Sequence, residues 1–250
     1  YVARGEGGRE SGEAQPGQFL AINPGRVLGQ LPGAPTKDPT FGLPAVWVDS
    51  SLREQAQTYG YTVVDASTVI ATHLSQILQG HAADLLGREE VQQLVDHVAK
   101  ELPKLTEELL PGLLPLSSVQ RVLQNLLEEG VPIRDARTIF SILTEQAAIT
   151  KNNDELTSAV RVGLGRAIIQ DIFQNASELN VIALEPTLEH MLSQAAGTDS
   201  QAAGLEPSLA ERLLTQTARV VQAQESRGLP PVLLVPAVLR TLLTRFLRRV

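Results

Sequence analysis

The chain has no cysteine among its 250 residues, and only 4% of the residues are aromatic. Without cysteine it can form no disulfide, no thiolate nucleophile and no cysteine-ligated zinc site, which is typical of proteins in a reducing compartment. With so few aromatic side chains, aliphatic residues must supply most of the core. The hydrophobic content of 43% is enough for this, and the length suits two or more compact units better than one.

Long apolar runs are missing as well. The best candidate for a membrane helix, residues 232–239, falls far short of the ~20 apolar residues that a membrane helix needs, and Pro236 interrupts it. The first residues lack the apolar core of a signal peptide and carry charges at Arg4, Glu6, Arg9 and Glu10. We therefore expect this stretch of chain to be soluble.

Positive charge is scarce, because 21 Lys and Arg stand against 28 Asp and Glu and give a net charge of −7. Nucleic acids and anionic lipid surfaces attract Lys and Arg, so neither is expected as the main partner. A protein ligand is compatible with this charge.

Catalytic and cofactor motifs are incomplete wherever they begin. Gly163-Leu164-Gly165 starts like a dinucleotide-binding turn, but Ile168 takes the third small position and no strand precedes it, so close helix packing explains the glycines better. Residues 12–17 have the spacing of a phosphate loop without the Lys and Ser/Thr that must follow. The histidines show no metal-ligand spacing; they are His73, His81, His97 and His190. We predict that the chain is not an enzyme and needs neither cofactor nor metal.

Charged clusters have a simpler explanation than acid–base chemistry. Paired carboxylates such as Glu128-Glu129 fit helix starts or solvated polar faces. A run of arginines near the end of the chain fits the solvated face of a final helix, with an acidic partner as the less favoured alternative; it comprises Arg240, Arg245, Arg248 and Arg249.

The stretch 38–74 predicts a β-α-β-α unit with short joints. An extended run at 43–48 is followed by a helical pattern at 51–59, and Ser51 with Glu54 predicts a capping box at the start of that helix. Gly60 predicts its end, and the β-branched run at 61–64 predicts the next strand. A second helix follows, for which Asp65 or Ser67 is the expected N-cap.

Phe41 lies in a rigid, non-helical segment between Pro39 and Pro44. Its ring is either a core residue or a docking point. Burial statistics alone favour the core, since large aromatic side chains are mostly buried.

Outside this unit, local patterns predict three further regions. Residues 1–17 are rich in glycine and charge and predict a linker or flexible loop with little order, with a strand at one end as the alternative. The run 19–22 predicts a strand that ends in a turn at Asn23-Pro24-Gly25, followed by a loop at 26–35. Apolar spacing of three and four residues from Arg88 onward predicts a helical module, and mixed patterns after Asn175 predict an α/β unit. Because no strand follows the last helix, we expect the native domain to continue beyond residue 250.

Several long stretches resemble the FHIPEP family, in particular the cytoplasmic domain of the flagellar export-gate proteins. They are residues 38–74, FLAINPG at 19–25, KLTEELLPG at 104–112, VQRVLQNLLEEGVPIRDARTI at 119–139 and VRVGLGRAI at 160–168. Members of this family are the large inner-membrane subunit of the type III export apparatus, and the injectisome paralogues are a more distant match.

The resemblance implies a docking platform that receives export chaperones with their bound substrates and delivers cargo to the membrane channel. Its hydrophobic dimple corresponds to Asp38, Phe41 and Thr72, with Ile22, Pro24, Val64 and Val69 as lining residues. It also implies other export-apparatus subunits as partners, a homo-nonameric ring in the full-length protein, attachment to the membrane through an upstream region, and a place at the cytoplasmic face of the bacterial inner membrane. A purely structural ring or adaptor with Phe41 in its core is the alternative, and the missing phosphate loop disfavours a nucleotide hydrolase.

Together these observations predict an α+β fold with several subdomains: a β-α-β-α unit, a central all-helical module and a C-terminal α/β unit. The predicted divisions are a linker or partial first subdomain at 1–17, an inserted second subdomain with the docking loop at 18–65, a return to the first subdomain at 66–87, a helical subdomain at 88–174 and a C-terminal α/β subdomain at 175–250.

Overall fold

The computed structural model of the protein describes residues 2–5, 8–174, 178–197 and 206–247. The chain divides into two units, Tyr1–Gly87 and Arg88–Val250. Helices and small sheets occur in both units, so the predicted α+β class is confirmed. The finer division into subdomains stays a prediction.

The first unit begins with a hairpin where we predicted little order. Strands β1 (Val2–Gly5) and β2 (Gly8–Ser11) pair antiparallel, with Arg4 opposite Arg9. The strands carry charged residues and glycines instead of alternating apolar ones, so no periodic signal marked them.

A second sheet holds this unit together. It consists of β3 (Phe19–Ile22), β4 (Ala34–Lys37), β5 (Pro44–Val48) and β6 (Thr62–Asp65), in the order β4-β5-β3-β6. Every neighbouring pair is antiparallel, so β5 and β6 run in the same direction on either side of β3. The loop predicted at 26–35 is wrong at its end, because the chain enters β4 at Ala34.

Helices cover both faces of this sheet. The helix α1 (Arg53–Thr58) packs on one face, where Ala56 joins a cluster with Ala21 and Val48. The helix α2 (Ala66–Gly80) packs on the other face, where Val69 joins Leu20 and Trp47, and a short helix, α3 (Ala82–Leu85), follows. The apolar runs in the strands are therefore continuous because successive side chains point into two cores.

The two predicted helix starts have different outcomes. No capping box forms at Ser51: the chain makes a 3-10 turn at Ser50–Leu52, and α1 begins at Arg53 without a side-chain cap. The carboxylate of Asp49, the residue before that turn, instead accepts a hydrogen bond from Gln18 Nε2 at 3.2 Å. At α2 the prediction of Asp65 as N-cap is confirmed, because its Oδ1 accepts a hydrogen bond from Thr68 N at 2.9 Å.

The second unit starts with a helical module, defined here as residues 88–174. Its helices are α4 (Arg88–Glu101), α5 (Pro103–Glu108), α6 (Leu116–Glu128), α7 (Ala136–Ala147), α8 (Asn153–Gly163) and α9 (Gly165–Phe173), with a helical turn at Leu109–Leu113. The Asn152 side chain caps α8, because its Oδ1 accepts hydrogen bonds from the backbone N–H groups of Asp154 and Glu155. A Cβ on Gly163 would collide with Ile142, which supports the interpretation of this glycine as a residue for close helix packing.

The remaining described residues form the C-terminal module, 178–197 and 206–247. Two short parallel strands, β7 (Ile182–Ala183) and β8 (Leu233–Leu234), are combined with α10 (Pro186–Gly197), α11 (Pro207–Glu225) and α12 (Ala237–Leu247). Its core contains Leu192, Leu213, Leu239 and Leu243. The predicted joint at Asn175 lies outside the described residues.

In the part of the chain that the structure describes, no helix is both long enough and apolar enough to span a membrane.

Candidate functional site

The loop between β4 and β5 holds Phe41 in a fixed turn. Asp38 begins the loop with only 4% of its surface exposed. Its Oδ2 accepts a hydrogen bond from the Phe41 backbone N–H at 2.7 Å. Two backbone bonds of 2.8 Å close the loop, from Asp38 N to the Leu43 carbonyl and from Gly42 N to the Asp38 carbonyl. Gly42 has φ of 68°, a conformation that glycine adopts without strain.

Phe41 itself is 71% exposed. The expectation from burial statistics that it packs in the core is therefore wrong, and the alternative of an exposed ring is correct. An aromatic side chain of this exposure contributes little to the fold. A ring held out by an ordered turn is available to another molecule.

The end of β3 brings two of the predicted lining residues to the edge where this loop lies. Ile22 pairs with Ala45 of β5 and with Thr62 of β6, and it is half-buried. Beyond it, Asn23 N donates to the Pro44 carbonyl at 2.9 Å. Pro24 follows, exposed, beside the strand that leaves the Phe41 loop.

The helix α2 carries Thr72, another of the predicted site residues. It begins after Asp65, which pairs with Phe19 at the opposite end of β3 from Ile22. Thr72 lies in the middle of α2 and is exposed.

The predicted site residues differ in their exposure. Phe41, Pro24 and Thr72 are exposed, whereas Ile22 and Val64 are half-buried. Val69 is 2% exposed and, with Val64, packs in the cluster of Leu20, Ala45 and Trp47. Asp38, another residue of the predicted dimple, is buried too. Val69 and Asp38 therefore present almost no area of their own to another molecule.

The start of α2 is fixed electrostatically. The hydroxyl of Thr68 donates to Asp65 Oδ2 at 2.7 Å, and its backbone N–H donates to Oδ1. The side-chain bond is the larger of the causes that lower the pKa of the Asp65 carboxyl from its ordinary value. The negative charge also lies at the helix N-terminus, where the helix dipole favours it.

Sequence reasoning missed a charged cluster in the second unit. Glu129 Oε2 lies 2.9 Å from Arg161 Nη1 and 2.6 Å from Arg240 Nη1. Our interpretation of Glu129 and Arg240 as solvated residues is wrong, since their side chains are only 14% and 21% exposed. Because 111 positions separate them, no local pattern could have revealed the pair.

In the described ranges, no group of three or more histidine, aspartate or glutamate side chains is arranged to hold a metal ion.

Comparison with known proteins identifies close relatives. The chain is 56% identical over 239 residues to the flagellar biosynthesis protein FlhA of Escherichia coli (strain K12), an alignment that covers 96% of this chain and 34% of the relative. It is 36% identical over 225 residues to FlhA of Borreliella burgdorferi, covering 89% of this chain and 32% of the relative. The chain thus spans about a third of the length of the curated relatives it matches.

Solved structures share the fold. The Chlamydia pneumoniae CdsV protein in complex with CdsO matches with a TM-score of 0.78 and 25% identity, over 95% of this chain and 70% of that chain. The nonameric SctV-C of EPEC matches with a TM-score of 0.73 and 21% identity, over 96% of this chain and 73% of that chain. The FHIPEP family itself matches over residues 6–250. The resemblance seen in the sequence is therefore confirmed, and the chain belongs to the FHIPEP family.

Proposed function

We propose that this chain is a docking platform of the flagellar type III export gate, which binds export chaperone–substrate complexes through Phe41 and delivers their cargo to the membrane channel. The observation that carries the proposal is the 71% exposure of Phe41 on a loop closed by three hydrogen bonds. The close relatives support the biological context, since they are flagellar biosynthesis proteins.

The geometry suits an anchor residue. A ring that is already ordered before binding loses little conformational freedom when it enters an apolar pocket of the partner, so more of the contact energy is retained. In this proposal, exposed Pro24 and Thr72 and half-buried Ile22 form a rim that excludes water from the contact, as the rim of a binding hot spot does. Asp38 acts indirectly, by holding the Phe41 N–H.

Two fold relatives support the proposed assembly. CdsV was solved in complex with CdsO, and SctV-C as a nonamer. For this chain we infer other export-apparatus subunits as partners and a homo-nonameric ring in the full-length protein. Its membrane attachment would come from residues outside this chain, and its place would be the cytoplasmic face of the bacterial inner membrane.

Titration with a purified flagellar export chaperone–substrate complex tests the docking role. Phe41→Ala is expected to weaken binding by at least ~2 kcal/mol, or about 30-fold, which is the scale of an interface hot spot. Ile149→Ala is the matched control, because Ile149 is 79% exposed but belongs to the second unit. It should leave the affinity unchanged.

Stability measurements separate docking from folding. Less than a third of Phe41 is buried, so its loss should lower the free energy of unfolding by less than ~1 kcal/mol. Phe140 is fully buried in α7, and Phe140→Ala should cost ~3–5 kcal/mol. If Phe41→Ala bound chaperone–substrate complexes as tightly as the unmodified chain, the docking role would be lost and the structural ring or adaptor would stand.

A further inference from the structure

A charged side chain, Arg240, bonds the C-terminal module to the helical module. The described core of the C-terminal module, built on Leu192, Leu213, Leu239 and Leu243, draws its packing partners from residues 184–247. From the same helix, α12, Arg240 reaches out to the helical module instead. Contacts of this kind within a chain resemble transient interfaces, which permit relative motion unless they are large and apolar.

Arg240 makes two bonds to the helical module. Its Nη1 donates to Glu129 Oε2 at 2.6 Å, and its Nη2 donates to Ser158 Oγ at 3.2 Å. Glu129 follows the end of α6, and Ser158 lies on α8. One side chain of the C-terminal module therefore joins two helices of the helical module.

The carboxylate that receives Arg240 is shared. Arg161 Nη1 lies 2.9 Å from the same Oε2 atom of Glu129, and all three side chains are less than a quarter exposed. Burial and the neighbouring Arg240 lower the pKa of Arg161, while Glu129 raises it. Glu129 is therefore the anion that keeps two partly desolvated guanidinium groups together.

A cavity of about 380 Å³ lies beside this cluster. Thr241 and Thr244 of α12 line it, together with Asn125, Thr157 and Arg121 of the helical module. Its lining is rich in hydroxyl, amide and charged groups, so water and salt can enter the space between the modules.

We propose that Glu129 and Arg240 form an ionic latch that holds the C-terminal module against the helical module. The latch is a conformational device separate from the Phe41 loop, which lies in the other unit. When the pair is broken, the 2.6 Å contact between the two modules is lost, and the adjoining cavity gives water access to the freed groups.

The latch predicts an order of effects for neutral substitutions. Arg240→Gln removes the guanidinium group that bonds the C-terminal module to the helical module. Glu129→Gln should open the contact further, because it also leaves Arg161 and Arg240 facing each other as like charges. Arg161→Gln should leave the latch closed, because Arg161 and Glu129 belong to the same module and the bond to Arg240 is retained.

Distance measurements between the two modules test this order. Since the chain has no cysteine, Ser117→Cys on α6 and Gln222→Cys on α11 provide two exposed sites for spin labels. Double electron–electron resonance on the 250-residue chain should give one narrow distance distribution without further change. Arg240→Gln should add a population at a different distance, Glu129→Gln should enlarge that population, and Arg161→Gln should not produce it. Arg137→Gln is the matched control, since its pair with Glu101 is about two-thirds exposed on both sides.

The dependence of the inter-module distance distribution on salt concentration is a second test, and it can be made with Glu129 and Arg240 unchanged. Raising the ionic strength from 0.15 M to 1 M shortens the screening length from about 8 Å to about 3 Å. The unmodified latch should then show the added population, and Arg240→Gln should change little further. A single distribution that is the same for the unmodified chain at both salt concentrations, or the same for Arg240→Gln and Arg137→Gln, would overturn the proposal.

Discussion

Asp38 offers the sharpest test of how the candidate site works, because the structure gives it an indirect role. Its carboxylate is buried and accepts the Phe41 N–H at 2.7 Å. Asp38→Ala removes that acceptor and keeps the two backbone bonds that close the loop. The hairpin should therefore persist while the position of Phe41 becomes less restricted.

The size of the effect follows from these contacts. A hydrogen bond to a charged group contributes ~1.5–3 kcal/mol, and the lower end applies here because water can reach the amide of exposed Phe41. We expect a loss of ~1.5 kcal/mol in unfolding free energy. Ordering a freed backbone residue on binding costs ~1–2 kcal/mol, so chaperone–substrate affinity should fall by about 5- to 30-fold.

Two measurements separate these terms. Trp47 is the only tryptophan and is 4% exposed in β5, so its fluorescence during urea unfolding reports the stability of the first unit. Binding is measured for Asp38→Ala, Phe41→Ala and the double variant. If Asp38 acts only by placing Phe41, its substitution should have no further effect on binding once Phe41 is alanine. Asp38→Asn keeps an oxygen acceptor and should restore most of the affinity.

The reasoning fails if Asp38→Ala weakens binding equally with and without Phe41. That result would mean that the Asp38 carboxylate contacts the partner directly, although it is buried in the free chain.

Two further predictions concern the framework of the site. Gly33→Ala should lower the unfolding free energy of the first unit by more than ~1 kcal/mol, because a Cβ there would meet the Trp47 carbonyl and lie 2.6 Å from Val46 Cγ1. Gly25→Ala, which also has positive φ but no neighbour within 4 Å, should cost less, and Trp47 fluorescence would show the reverse order if the collision were unimportant. Thr68→Val should raise the pKa of Asp65, measured by carboxyl chemical shifts, because the hydroxyl bond is the main cause of the lowered value. Because the pKa of Asp65 is lowered in the folded chain, its carboxylate stabilises the fold at pH above the unfolded pKa, and this contribution is lost as the pH falls through the folded pKa. An unchanged Asp65 pKa in Thr68→Val would contradict the assignment of the hydroxyl bond as the main cause.

The elements that sequence predicted well are those whose signals are local. The changes in the spacing of apolar residues along 43–80 predicted β5, α1, β6 and α2, since strands and helices each have their own spacing. What periodicity could not give was the insertion of β3 between β5 and β6. The order of strands depends on pairing between residues that are distant in the chain.

The strand β4 was missed because Pro35 and the nearby glycine indicate a loop. The sheet tolerates this proline because β4 is an edge strand. On the open side of an edge strand no neighbouring strand needs a backbone N–H as a hydrogen-bond donor. The predicted capping box at Ser51 is absent because the chain takes a 3-10 turn at Ser50–Leu52 and α1 begins only at Arg53.

At the candidate site, the family resemblance identified the residues, and only the structure showed which of their side chains are exposed. The sequence placed Phe41 in a rigid segment but left it between core and surface, whereas the hydrogen bonds of Asp38 show how the ring is turned outward. One local signal could have indicated the turn at Phe41: Asp38 lies three residues before the N–H that it binds. Asp65 and Asp135 bind backbone N–H groups at the same spacing.

The central position of β3 affects the order in which the first unit can be completed. Phe19–Ile22 is the earliest strand of its sheet in the chain, yet its two partners are β5 and β6, which follow much later. During synthesis from the N-terminus, β3 can pair with β5 only after Val48 has been added, and its other edge stays open until Asp65 has been added. Because loop closure must precede such distant pairings, the sheet is completed late, and shorter nascent chains expose a strand edge with which other chains could pair.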